Sequence, residues 1–261
     1  MPTIGFIYPD HAAEDDYPLA ERMLGAGVRL PVEHIYGTDL HAVAELLDLG
    51  SPARLADGAG LLAKHEPDAI VWACTSGSFV YGPAGAAEQV RALAETAGGL
   101  PASSTSFAFV RAAQALGVRR VAVAASYPDD VARLFVDFLA AGGVEVVSMS
   151  SADIDTAAEV GGLTPEAVTE LVIARDHPDA DALLVPDTAM RTLGLIDALE
   201  KRLGKPVLTA NQVTVWEGLR LAGELREVPE LGALFRGDAI ASVMARGTAT
   251  PTTAGGEPSW R

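Results

Sequence analysis

A chain of 261 residues has room for one large domain or two ordinary ones, and 49% hydrophobic against 21% charged residues excludes a disordered polymer. Its formal charge of −16 opposes nucleic acid and anionic membrane surfaces. No apolar run reaches the roughly 18–20 residues of a membrane span, and a single cysteine excludes an internal disulfide framework and a cysteine-built zinc site.

The N-terminal "MPTIGFIYPDHAAEDDY" carries neither a basic leader nor a long apolar stretch, so a cytoplasmic protein is expected. Apolar runs rich in β-formers predict strands over 3–9, 28–37 (interrupted by Pro31), 68–75, 100–105, 119–126, 144–151, 181–187 and 206–211. Ala/Leu-rich segments between them predict helices over 85–97, 106–116, 128–141, 165–175, 190–203 and 212–224. Alternation of buried-looking strands with helices predicts an α/β protein built on parallel sheets. The end, "RGTATPTTAGGEPSWR" (246–261), has no periodicity and is expected to be loose.

The chain also repeats itself. "HEPDAIVWACT" (65–75) and "DHPDADALLVPDT" (176–188) each run from a Pro-Asp turn through an apolar strand to a threonine. Aligning Asp68 with Asp181 sets Cys74 against Asp187 and Thr75 against Thr188. "LPASSTSFAFVRAAQALG" resembles "KPVLTANQVTVWEGLRLAG", and "TIGFIYPD" resembles "RVAVAASYPDD", in the same order. The expected architecture is two pseudo-symmetric Rossmann-like lobes, each a mainly parallel four-stranded sheet flanked by helices. Residues 1–105 plus 212–245 would form the first lobe and 106–211 the second. Ligands of open α/β sheets bind beyond the carboxyl ends of the strands. Two such lobes would therefore share a cleft, with Cys74 and Asp187 facing each other across it.

The residues at those strand ends suggest chemistry. Cys74 closes an apolar run and is followed by Thr75, Ser76, Gly77 and Ser78. Backbone N–H groups of such a turn favour anions and are expected to lower the thiol's pKa. The thiol would then serve as nucleophile or base. Its bland alternative is a buried structural cysteine. Asp187 is either a proton donor or acceptor or a helix cap. Thr75, Ser76 and Thr188 offer hydroxyls to a carboxylate or cap helices. Tyr127 and Tyr8 end matching strands and offer phenols, with Asp10 just beyond Tyr8; packing is the competing reading. Asn211 and Gln212 are further candidates to line the cleft.

No GxGxxG follows a strand, no GxxxxGK[ST] occurs, and the five histidines show no HxH or HExxH spacing. Chemistry without a cofactor and without a metal is expected, on a small carboxylate substrate.

"ACTSGSFVYG", "PDTAMRTLGLI", "IGFIYP" and "AASYPDD" together resemble the aspartate/glutamate racemase superfamily, on its maleate cis–trans isomerase and arylmalonate decarboxylase branch. The resemblance spans about residues 3–225. It implies two lobes, no cofactor, and a substrate carboxylate held between them. It further implies that Cys74 is the first-lobe cysteine and that Thr75, Ser76 and Tyr127 bind carboxylate. Asp187 stands where racemases and isomerases have a second cysteine. Asp10 or His11 stands near an asparagine of the family, and Ala157 where isomerases carry an amide. The implied activity is cis–trans isomerisation or racemisation. A decarboxylase-like lyase and a non-catalytic carboxylate-binding protein are the alternatives. A homodimer is expected by analogy with such folds.

Overall fold

A computed structural model describes residues 1–247 of the protein. Two four-stranded parallel sheets share one topology. The first runs β2-β1-β3-β4, from Ile4–Pro9 (β1), Val32–Ile35 (β2), Ala69–Trp72 (β3) and Ala102–Ser104 (β4). The second runs β6-β5-β7-β8, from Arg120–Ala125 (β5), Glu145–Ser151 (β6), Ala182–Val185 (β7) and Val207–Thr209 (β8).

The Pro-Asp turns show how one sequence pattern builds both sheets. Asp68 donates its backbone N–H to the Thr3 carbonyl and accepts the Thr3 N–H on its carboxylate, both at 2.8 Å. Asp181 does the same to Arg120, at 2.8 and 3.0 Å. Each aspartate thus pins the third strand of its lobe beside the first and sets the register. The strands that follow are entirely buried, which accounts for their unbroken Val, Ile, Leu and Ala content.

The helices are Asp16–Leu24 (α1), Val43–Leu49 (α2), Pro52–Leu62 (α3), Ser76–Phe79 (α4), Gly82–Thr96 (α5), Thr105–Leu116 (α6), Asp129–Ala141 (α7), Ala157–Gly161 (α8), Pro165–Ile173 (α9), Ile196–Leu203 (α10), Ala210–Ala222 (α11) and Gly237–Gly247 (α12). The first three were not anticipated. The strand expected over 28–37 is regular only at Val32–Ile35, although Ile4 and Phe6 still donate to the carbonyls of Arg29 and Pro31. The helix expected over 190–203 begins at Ile196. The reason is local: the N–H groups of Thr192 and Leu193 point to the Asp16 carboxylate instead of joining a helical ladder. Of the tail expected to be loose, residues 248–261 lie outside the described residues.

Two helices bind the lobes together. Helix α11 leaves the second sheet and packs on β1, β3 and β4 of the first, and against α6. A Cβ at Gly218 would come within 2.5 Å of Ile4 Cγ2, so only glycine lets α11 lie this close to the sheet. Between α6 and α11, Glu217 is fully buried and bonded to Arg111 at 2.5 Å and to Arg220 at 2.7 and 3.0 Å. Burial raises its pKa, but the two guanidinium groups outweigh that and hold it below the usual carboxylate range. One apolar core, including Phe6, Trp72, Val121, Leu184 and Trp216, runs through both lobes. A third link crosses the cleft on the other side. Leu40 bridges Thr156, the His41 N–H meets the Asp155 carbonyl at 2.7 Å, and the Ala157 N–H meets the Asp39 carbonyl at 2.9 Å. Among the described residues no helix is long and apolar enough to cross a membrane.

Candidate active site

Strand β3 ends at Trp72, and the backbone turns through Cys74 into the short helix α4. Cys74 is buried, and its Sγ accepts the Gly77 N–H at 3.3 Å with Ser76 Oγ at 3.8 Å. A Cβ on Gly77 would lie 3.2 Å from that sulfur and 3.0 Å from the Trp72 ring, so glycine is what lets the turn wrap the thiol. The Ser106 hydroxyl holds the Thr75 carbonyl at 2.8 Å. Thr75 Oγ1 itself is buried and has no hydrogen bond among the described residues.

The second lobe answers with Asp187, two residues past β7. Its Oδ1 accepts the Ala189 N–H at 2.9 Å and its Oδ2 accepts the Ser126 hydroxyl. Tyr127, just past β5, donates its hydroxyl to the Pro186 carbonyl at 2.7 Å, and its ring lies edge-on to Phe79 of the first lobe. Tyr8, its counterpart at the end of β1, reaches across to the Thr188 carbonyl at 2.8 Å and accepts the Ala13 N–H at 3.0 Å. Asn211 donates to the same Thr188 carbonyl at 3.2 Å and to Asp16 at 3.0 Å.

Electrostatics tie these groups into one neighbourhood. The negative charge of Asp187 is felt by Cys74, Tyr8 and Tyr127. Burial pushes the Cys74 thiol up to about 11; Gly77 N–H and Ser76 pull it down without prevailing, and Asp187 adds to the rise. This corrects the expectation that turn donors lower it: the thiol holds its proton at neutral pH. Burial also raises both phenols well above their ordinary value, so each is a neutral donor.

Cys74, Thr75, Ser76, Tyr127, Asp187, Thr188 and Tyr8 are therefore all buried where the sheets' carboxyl ends meet. Asp10 does not join them. It is exposed on the turn after β1, at φ 47°, and its carbonyl is taken by His34. Gln212 also stays out: it closes the N-terminus of α11 by accepting the Thr209 N–H at 3.0 Å. Two residues were missed. Ser126 was legible in principle, because a hydroxyl ends a run whose repeat counterpart is Ile7. His41 was not, since it enters on a loop without periodicity; its Nε2 stands 3.9 Å from Asp187 Oδ2. The one convergence of three ligand-type side chains among the described residues is His11, Glu14 and His34, within 4.8 Å of one another near the protein surface.

The profile of the arylmalonate decarboxylase family matches residues 50–235. The chain belongs to that family. It is 32% identical over 246 residues to arylmalonate decarboxylase of Bordetella bronchiseptica, covering 90% of this chain and 96% of that one. It is 28% identical over 181 residues to a maleate isomerase of Geobacillus stearothermophilus, covering 67% and 72%. A solved structure of the Nocardia farcinica maleate cis–trans isomerase, a cysteine-to-serine mutant with a covalently bound succinylcysteine intermediate, superposes with a TM-score of 0.81 at 25% identity. It covers 90% of this chain and 98% of its own. This arylmalonate decarboxylase family member thus sits on the branch of the aspartate/glutamate racemase superfamily that holds both decarboxylases and maleate isomerases.

Proposed function

We propose that this family member is a cofactor-independent cis–trans isomerase of a small unsaturated carboxylic acid. The observation that carries the reading is one thiol and one carboxyl at matching strand ends, the thiol lying within the field of the carboxyl. Thr75 Oγ1 is a buried hydroxyl without a partner among the described residues and is open to the substrate carboxylate. The succinylcysteine seen in the related isomerase supports a cysteine as nucleophile.

The reaction adds Cys74 S–H across the double bond and then removes it. Sγ bonds one alkene carbon as the π bond opens. The thiol proton leaves to the Asp187 side, and a proton from that side goes to the neighbouring carbon. Rotation about the resulting single bond precedes the reverse steps, which restore the alkene and the thiol. A thiol protonated at rest suits this sequence, because its proton is itself consumed.

The same raised thiol favours a second reading, a decarboxylase-like lyase. There a protonated Cys74 would quench the carbanion left when carbon dioxide departs. The arylmalonate decarboxylase relative, matched over nearly its whole length, supports it. The two separate by assay. Purified protein and Cys74→Ala are compared on maleate, followed by the appearance of fumarate, and on aryl-substituted malonates, followed by carbon dioxide release. Turnover of maleate lost in Cys74→Ala supports the isomerase; carbon dioxide release alone replaces it with the lyase; turnover unchanged in the variant overturns the role of the thiol.

A further inference from the structure

The Asp187 carboxylate is furnished as an acceptor. One oxygen takes the Ala189 N–H, a donor that cannot reverse, and the other takes the Ser126 hydroxyl. A neighbour with an exchangeable proton would complete it. His41 is the neighbour. Its Nδ1 lies 3.1 Å from the Ile154 carbonyl, which only accepts, so Nδ1 carries a hydrogen in every state. That leaves Nε2 as the exchangeable position, and Nε2 faces Asp187 Oδ2 at 3.9 Å.

The ring is held from both sides of the cleft. It belongs to a first-lobe loop, yet its backbone N–H is bonded to Asp155, its Nδ1 to Ile154, and its plane stands edge-on to Tyr127 at 5.0 Å. His41 is 7% exposed and Asp187 3%, so water does little to screen them. The titratable groups around the pair are Tyr127, Cys74 and Tyr8, each of which feels Asp187. Asp39, on the same loop as His41, spends its Oδ1 on the Ala158 N–H.

We infer that His41 and Asp187 act as one acid–base pair assembled from the two lobes, with the exchangeable proton resting on His41 Nε2. The inference builds on the reading of Asp187 as the proton-handling side. In the addition step Nε2 gives its proton to the substrate carbon, and the pair regains a proton from the Cys74 thiol; elimination runs the exchange backwards. His41 also offsets the Asp187 charge, which adds to the rise that burial imposes on the thiol.

The single cysteine makes the test specific. Cys74 alkylation by iodoacetamide is timed at neutral pH in four proteins: wild type, His41→Gln, Asp187→Asn and the double variant. If the pair exists, His41→Gln exposes Cys74 to an uncompensated carboxylate and slows alkylation about fivefold to tenfold, while in the Asp187→Asn background it changes the rate less than about twofold. Equal effects in both backgrounds would mean that the histidine only props the loop, and would overturn the pairing. His41→Asn, run in parallel, supplies the same comparison if His41→Gln unfolds. Because no substrate is used, the cycle stands apart from the reaction assays. A coupled pair with no isomerase turnover rejects the proposed function alone, whereas Cys74-dependent turnover without coupling rejects only this pairing.

Discussion

The Tyr8 hydroxyl donates to the Thr188 carbonyl at 2.8 Å, a bond from the end of the first sheet to the turn after the second. It fixes the distance between the lobes at the level of the thiol, and it also receives the Ala13 N–H. Removing it strands the buried Ala13 N–H and leaves the Thr188 carbonyl to Asn211 alone. Tyr8→Phe is expected to cost about 1–3 kcal/mol of unfolding free energy, read from urea denaturation. Catalysis should fall more in kcat than in KM, since the bond positions the lobes and is not itself needed to bind the substrate. A variant as stable as wild type would show that the bond is not formed in solution.

Thr75 offers the opposite balance. Its buried hydroxyl has no partner among the described residues, an arrangement that costs stability unless a ligand completes it. Thr75→Val keeps the shape and discards the unpaired group. Unfolding free energy should hold or rise by up to about 1 kcal/mol, while KM for the carboxylate substrate rises on the order of tenfold, the loss of one hydrogen bond to a charged group. A destabilised variant with unchanged KM would assign the hydroxyl to the fold instead.

Much of this arrangement is written locally. Fully buried strands advertise themselves as Val/Ile/Leu runs, and the Asp68 and Asp181 turns repeat in both halves, so the two sheets and the matching strand ends that carry Cys74 and Asp187 could be read directly. What could not be read depends on depth or on distant chain. The donors that lower a thiol's pKa are visible in "CTSGS", but the burial that outweighs them is not. Helix α1 begins with Asp16, whose partners Asn211, Thr192 and Leu193 lie far along the chain. His41 acquires its role from contacts with residues 154–155 and Asp187, and no window of sequence around it contains them.

The thiol's state makes a prediction that needs no substrate. With its pKa pushed up to about 11 by burial, Cys74 should alkylate slowly near neutrality, and the rate should keep climbing well past pH 9. An ordinary thiol levels off near its own pKa of about 8.5. Mass spectrometry of the alkylated protein against pH gives the curve. A plateau below pH 8 would show that turn donors win over burial, and would recast Cys74 as a resting thiolate.

Asp16 links stability to pH beside the site. Its carboxyl is buried and raised to about 6, chiefly by desolvation, against the bonds from Asn211, Thr192 and Leu193 that favour the charge. In the unfolded chain it titrates near 3.9. The folded state therefore binds the proton more tightly, so this group's stabilising contribution is complete below the unfolded pKa and is lost as pH rises through about 6. Asp16→Asn cannot titrate and serves as the reference. The unfolding free energy of wild type relative to that variant should fall by about 2 kcal/mol between roughly pH 4.5 and 7.5. Taking the difference cancels the opposite trend from Glu217, whose depressed pKa gives stability that disappears as pH falls. Ionised Asp16 then grips Asn211 and the 192–193 turn more strongly, which steadies the Thr188 carbonyl that Tyr8 and Asn211 share. A difference that stays flat with pH would place the Asp16 proton in solvent and detach this network from the site.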